Sequence, residues 1–272
     1  MIGIIGYGRF GRLMAHYLSR DFTVRIFDRH VPVGSVPGPG IAAVSLKRVC
    51  RQPVVILAVP ISVMPSVLTQ IAPLLRPGAL VMDVCSVKDL PASWMQARLP
   101  LSVSILATHP MFGPDSAAQS LEGCKIALCP VRIAAEPLQK IIDYLHRKGL
   151  VVVQGSAQRH DAQMAFSLAL THFVGRALER MGAQPLEMDT EGYRRLLKIL
   201  EVVTRDTWQL FFDMHRFNPY AAPVRQAFME ALAHIDAQMT GQDATLSAKP
   251  AEVAEMLKNE SVPPGLSGQN DR

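Results

Sequence analysis

"MIGIIGYGRFGRLMAHYL", residues 1–18, decides the fold. Its opening, "MIGIIGYG", is a short apolar run and reads as a strand. The residues after it, "GRFGRLMAHYLSR", carry apolar side chains at helical spacing. A strand that turns on glycines straight into a helix is the first half of a βαβ unit, and the remaining sequence repeats the alternation. "FTVRIFD" is a second strand, alternating and β-branched, followed by the Pro- and Gly-rich loop "HVPVGSVPGPG". "PVVILAVP" is a continuous apolar strand, as expected where both faces of a sheet are covered. The helix "SVMPSVLTQIAPLL" comes next, then the strands "GALVMDVCS", "SVSILATHP", "CKIALCPV" and "GLVVVQGS", with the helix "AEPLQKIIDYLHRKG" between the last two. The pattern predicts a Rossmann-type, doubly wound α/β domain over residues 1–156, with a parallel sheet and right-handed crossovers.

Beyond residue 156 the strand signals cease. "HDAQMAFSLALTHFVGRALERMG", "EGYRRLLKILEVVTRDTWQLFFDMHRF" and "APVRQAFMEALAHIDAQMTG" are all helical, so residues 157–241 form an all-helical second domain. "LALTHFVGRALERMG" and "LLKILEVV" carry more apolar residues than one helix stripe needs, which predicts a homodimer formed through this half. Residues 242–272 are polar and marked by Pro and Gly, and read as a loose tail.

Composition narrows the function classes. Of the 272 residues, 49% are hydrophobic, which argues against disorder. Apolar runs break well before the roughly 18 residues a membrane span needs, and no basic segment precedes the first one, so neither a membrane anchor nor a signal peptide is expected. Cys50, Cys85, Cys124 and Cys129 form no C-x-x-C pair, which weakens zinc and disulfide readings. Buried free thiols in a reducing cytoplasm and no bound metal are the expectation. The net charge of +5 is scattered, with no basic stripe among aromatics, so nucleic acid is not the expected partner. A small-molecule anion is.

Gly6-Tyr7-Gly8-Arg9-Phe10-Gly11 is a G-x-G-x-x-G in the context that gives the motif meaning, after a strand and opening a helix. Gly6 permits the tight turn, Gly8 lets a pyrophosphate approach the backbone, and Gly11 lets helix and strand pack closely. Asp28 ends the second strand, 22 positions after Gly6, where an acid holds a ribose 2′-hydroxyl. Asp28 favours NAD by repelling a 2′-phosphate, whereas Arg29 beside it is a residue type that accepts one, so NADP stays open. Val59 and Pro60, after the third long strand, complete the expected cofactor set.

Three polar stretches stand at predicted strand ends: "AVPIS", "DVCSVKD" and "THPMFGPD". Ligands of open α/β sheets bind beyond the carboxyl ends of strands, so Ser86, Lys88 and His109 are expected to converge there. His109 precedes Pro110, which bars it from a helix interior and holds it in extended geometry. Histidine is the natural general base near neutral pH. Ser86 would fix its tautomer or bond the substrate. The plainer alternatives are a loop-locking histidine, a helix-capping serine and a solvated lysine.

"DVCSVK" and "HPMFGP", after an N-terminal "GYGRFG", resemble the prephenate and arogenate dehydrogenases of tyrosine biosynthesis. The likeness extends over roughly residues 1–235. "RHDAQMAFSLALTHFVGRALERMG" is similar to their His-Asp helix, with His160, Asp161 and, twelve positions on, His172. The resemblance implies a base, His109, that takes a 4-hydroxyl proton while hydride leaves C4 for a nicotinamide and carbon dioxide departs as the ring becomes aromatic. It implies Ser86 beside that base, His172 on the substrate, and dimerisation through the helices; Lys88 is expected to bind substrate from its place at the strand end alone. One departure stands out: Val202 occupies the place of a substrate-binding arginine that many bacterial members carry. Arg205, one helical turn later, is a possible substitute. In the same register "VVTRDTWQLFF" resembles plant arogenate dehydrogenases, whose aspartate falls at Asp206 and is associated with the substrate's amino group. Two alternatives remain at this level. One is another two-domain oxidoreductase of the β-hydroxyacid dehydrogenase or imine reductase type. The other is a dinucleotide-sensing regulator that has lost catalysis.

Overall fold

The structure is a computed structural model that describes residues 1–240. The tail expected over residues 242–272 lies outside the described residues. The chain divides into two compact units, Met1–Ala157 and the residues from Gln158 on.

The first unit is an eight-stranded sheet in the order β3-β2-β1-β4-β5-β6-β7-β8. Its strands are β1 (Ile2–Ile5), β2 (Val24–Phe27), β3 (Ile41–Ala43), β4 (Val54–Leu57), β5 (Leu80–Asp83), β6 (Ser104–Pro110), β7 (Lys125–Arg132) and β8 (Val151–Gln154). The helices are α1 (Arg9–Leu18), α2 (Leu46–Cys50), α3 (Met64–Ile71), α4 (Asp89–Arg98) and α5 (Ala135–Arg147). Alternate side chains of each strand serve opposite faces. In β1, Ile2 and Ile4 join the cluster that packs with Ala15 and Met14 of α1, while Gly3 abuts Val49 of α2. The sheet is therefore clothed on both sides, as its continuous apolar strands require. The strand order reverses between β2 and β4 on either side of β1, which makes a crevice at the carboxyl ends of β1 and β4.

The expectation of an all-parallel sheet is corrected at one junction. β6 and β7 pair antiparallel, His109 opposite Ala127, whereas β7 and β8 are parallel. A parallel return needs a crossover element long enough to recross the sheet. Residues 111–124 contain Gly113-Pro114 and no helix, so the chain turns back at the same end of the sheet. α2, α4 and the short edge strand β3 are additions to the elements expected, each too short or too weakly periodic to stand out.

On the α1 and α5 face, β4 to β6 leave an apolar groove of about 480 Å³ between the two helices. Thr108 and Pro110 line it. By strand alternation His109, between them, points to the other face.

The second unit consists of α6 (Ala157–Met164), a π-helical stretch (Ala165–Leu170), α7 (Thr171–Arg180), α8 (Glu191–Thr204), α9 (Trp208–Arg216) and α10 (Ala221–Met239). The long second helix expected from sequence is two. It breaks at residues 205–207, where Thr207 caps α9 by accepting a hydrogen bond from the Leu210 backbone N–H at 3.2 Å. A threonine at a helix start supplies one acceptor to the orphan donors of the first turn.

Candidate active site

The turn after β1 is built by backbone proximity. Gly6 has φ +100°, and a Cβ there would lie 2.2 Å from the Ala58 carbonyl oxygen. A Cβ on Gly11 would lie 2.3 Å from the carbonyl oxygen of Gly6. Gly8 differs from both. Its φ is −69°, open to any residue, and a Cβ there would meet nothing within 4 Å. The protein itself makes no demand for glycine at position 8, and the space beside its backbone is open to the approach of a ligand. Gly8 is the N-cap of α1, with no side-chain cap and no acid in the first turn. The backbone N–H groups of Arg9, Phe10 and Gly11 thus open toward that space, which suits a phosphate. Asp28 accepts from the Tyr7 N–H and the His30 N–H, each at 2.8 Å, which sets its carboxylate beside the turn. Arg29 is exposed and its Nε donates to His30 Nε2 at 3.0 Å. Val59 and Pro60 follow β4 across the crevice from the turn. These residues fit a dinucleotide.

At the same end of the sheet stand the loop after β5 and the end of β6. His109 is 7% exposed and sits within β6. Ser86 Oγ is buried and has no hydrogen-bond partner among the described residues. A buried hydroxyl seldom goes unmet, so this one is open to a ligand group. The plainer reading of Ser86 as a helix cap has no support, because the N-cap of α4 is Lys88 and no side chain caps that helix. Lys88 departs most from expectation. Its side chain is 0% exposed, its Nζ donates to Asp83 Oδ2 and, at 2.6 Å, to the Thr108 carbonyl, and it does not stand in solvent as a substrate-facing cation. Asp83 was not singled out from the sequence, although an acid inside an apolar strand signals a buried partner. The loop after β6 returns over α1: Arg9 pairs with Asp115 at 2.9 Å, Phe10 packs on Phe112 with ring centroids 6.0 Å apart, and Tyr17 Oη donates to the Ala117 carbonyl at 2.8 Å. The glycine turn and the histidine-bearing loop are thereby joined.

In the helical unit His160 Nδ1 lies 2.7 Å from Asp161 Oδ1, both buried, and Asn218 Nδ2 donates to the Asp161 carbonyl at 2.8 Å. His172 Nε2 lies 3.7 Å from Asp206 Oδ2, while its Nδ1 is buried with no hydrogen-bond partner among the described residues. Asp206 occupies the break between α8 and α9, and Arg176 donates to its carbonyl at 2.6 Å while stacking on Trp208 at 4.2 Å. Val202 is exposed, and Arg205 bonds Glu201 one turn back along α8. Two residues that the sequence did not flag join this group. Arg176 follows His172 by four positions, a spacing that puts both on one helix face. His215, on α9, packs on Phe211 with centroids 4.6 Å apart, and its Nδ1 is 3.3 Å from Arg225. Burial first, then the Arg176 charge, pushes His172 down to about 4. Burial, then Arg225 and His172, pushes His215 down to about 4 as well. Among the described residues no group of three or more His, Cys, Asp or Glu side chains is arranged to hold a metal ion. Cys50, Cys85 and Cys129 are buried free thiols and Cys124 is a half-buried one.

Fold and glycine turn together define a doubly wound dinucleotide-binding protein with a helical second unit. The nucleotide-binding domain of prephenate dehydrogenase matches residues 40–154, and a TYRAAT1-like C-terminal domain matches residues 177–250. Arogenate dehydrogenase 1, chloroplastic, of Arabidopsis thaliana is 30% identical over 89% of this chain and 39% of its own length. A 4-amino-4-deoxyprephenate dehydrogenase of Streptomyces pristinaespiralis is 27% identical over 93% of this chain and 89% of its own. The prephenate dehydrogenase of A. aeolicus superposes with a TM-score of 0.67 at 20% identity, over 94% of this chain and 92% of that one, which speaks for the fold. The chain is similar to prephenate and arogenate dehydrogenases along most of its length. It spans well under two thirds of the plant relative's length.

Two measurements follow from this geometry. Gly8→Ala should leave the unfolding free energy within about 1 kcal/mol, since its Cβ enters open space and only a weak cap changes. It should weaken NAD binding at least tenfold by calorimetry, because the methyl group takes the phosphate's place. Unaltered NAD affinity would detach the turn from the cofactor. The second measurement is of stability against pH. His172 and His215 are neutral when folded down to about pH 4, but the unfolded chain takes up their protons near 6.5. Stability is therefore fully present above pH 6.5 and is lost as pH falls toward 4, on the order of 3 kcal/mol for His172 alone. Urea unfolding at pH 7.5, 6 and 5 should show this loss, and His215→Phe should reduce its slope.

Proposed function

We propose that the protein catalyses the oxidative decarboxylation of arogenate to tyrosine, with prephenate the poorer substrate, as the prephenate and arogenate dehydrogenases it resembles suggest. The observation that carries the reading is the placement of buried His109 and the unpartnered Ser86 hydroxyl at the carboxyl end of the sheet. The glycine turn stands at that same end. The alternatives of another two-domain oxidoreductase or a sensing regulator do not account for this pair within "DVCSVK" and "HPMFGP".

His109 takes the proton of the ring 4-hydroxyl. C4 and its oxygen become a carbonyl as C4 loses hydride, loss of the ring carboxylate as carbon dioxide sends that bonding pair through the ring to the oxygen, and the resulting aromatic phenolate takes back the proton held by His109 to become the phenol. NAD, when bound, supplies the hydride acceptor. Asp28 supports NAD over NADP, because its carboxylate stands beside the turn and would repel a 2′-phosphate. Ser86 donates to, or accepts from, the hydroxyl and holds it toward His109. Asp206 receives the substrate's ammonium, a group arogenate has and prephenate lacks. His172, neutral near pH 7, lies beside Asp206 without neutralising it. Steady-state rates with each substrate test the assignment. His109→Asn should cost roughly 10²- to 10⁴-fold in kcat. Asp206→Asn should lower kcat/KM for arogenate about ten- to hundredfold, as loss of a charge-assisted hydrogen bond worth roughly 1.5–3 kcal/mol predicts, while prephenate turnover holds or rises. An unchanged ratio of the two substrates would remove Asp206 as selector.

We also infer a homodimer formed through the helical unit. Leu196 and Val202 of α8, Trp208 and Phe212 of α9, and Met229, Leu232, Ile235 and Met239 of α10 are exposed large hydrophobics. Apolar surface on that scale marks an interface. Sedimentation at micromolar concentration should give twice the chain mass, and a stable monomer would refute it. Among the described residues no helix is long and apolar enough to cross a membrane.

A further inference from the structure

The pairing of β5 with β6 ends at Asp83 opposite Ala107, yet β6 continues through Thr108, His109 and Pro110. On its β5 side the overhanging backbone lacks the strand that would have satisfied it, and Thr108 and His109 are buried. Unmet backbone groups in such a place are costly. Side chains replace the missing strand. Asp83 Oδ1 accepts from the Thr108 N–H at 3.3 Å, and Lys88 Nζ donates to the Thr108 carbonyl at 2.6 Å. Thr108 Oγ1 donates in turn to the Asp83 carbonyl. The peptide that precedes His109 is thereby gripped at its N-terminal neighbour's N–H, carbonyl and side chain. Asp83 Oδ2 also accepts from the Cys85 N–H at 3.0 Å, which ties down the loop that carries Ser86.

We propose that the fully buried Asp83–Lys88 ion pair is a positioning device for His109 and Ser86, setting both on one strut for proton removal rather than contacting substrate. Two charges with no exposure would be replaced at little loss of stability by apolar side chains of similar volume, so packing alone gives no reason for them. What apolar side chains lack is the donor and acceptor that the Thr108 backbone needs. Displacement of a catalytic group by about 1 Å costs on the order of 10²-fold in rate. This inference rests on His109 as the base.

The test is a mutant cycle on the full chain. Asp83→Asn with Lys88→Met removes both charges together and avoids a lone buried one; Lys88→Arg is the conservative companion. Folding is followed by near-ultraviolet circular dichroism and NAD binding by calorimetry, so that rates are compared per folded, NAD-competent molecule. In the wild-type background the paired variant should lose about 10²-fold in kcat with KM and NAD affinity within about twofold. Lys88→Arg should recover part of the loss. In the His109→Asn background the same paired variant should cost less than about threefold, because there is no base left to position. An equal loss in both backgrounds overturns the proposal, as does full kcat in the paired variant. Should the paired variant fail to fold, Lys88→Arg alone decides by the same comparison in the two backgrounds. Failure of the base reading is distinguished separately, by His109→Asn retaining both its rate and its pH profile.

Discussion

Helix α1 reaches the sheet only because Gly6 and Gly11 lack side chains. The Gly6 turn touches the Ala58 carbonyl after β4, and Gly11 touches Gly6, so three backbones meet with no room for a Cβ. That contact sets where the helix N-terminus points, namely into the crevice between β1 and β4. It also sets where the loop after β6 is anchored, since Arg9 and Phe10, the first residues of α1, hold Asp115 and Phe112. Cofactor turn and histidine loop are one assembly because of this close approach.

The second constraint is the unequal length of β5 and β6. A strand that outruns its neighbour inside a protein must find partners for its backbone, and here the partners are ionic. The result gives the first unit two polar fixtures at one sheet end. One is the Asp83–Lys88–Thr108 network. The other, the Ser86 hydroxyl, has no hydrogen-bond partner among the described residues. Satisfied groups hold geometry and unmet ones are open to ligands, and Lys88 and Ser86 stand within a single five-residue loop, residues 84–88.

The helical unit treats charge differently. His172 and His215 are kept neutral by burial and by arginines beside them, while Asp206 sits at a helix break where its side chain is partly open. The π-helical stretch that precedes His172 widens the helix, and such stretches are frequent at functional sites.

The alternation of elements, the glycine turn, Asp28, His109 and the change to helices near residue 157 were legible in the sequence, because each is a local signal. Period, turn chemistry and the residue before a proline are written over a few consecutive positions. Other features were not legible. The antiparallel return of β7 depends on the absence of a crossover element. The break at Asp206 depends on a cap competing with an otherwise unbroken helical period. Lys88 read as a solvated or substrate-facing cation, because a lysine after "CSV" carries no mark of burial. Its partner lies five positions back at the end of β5, but the carbonyl it serves is twenty residues ahead on another strand. The sequence by itself determined which segments become strands and helices and which residues have the chemistry for a site. Only the tertiary structure decided which charges are buried and what they hold, because burial depends on neighbours brought together by the fold.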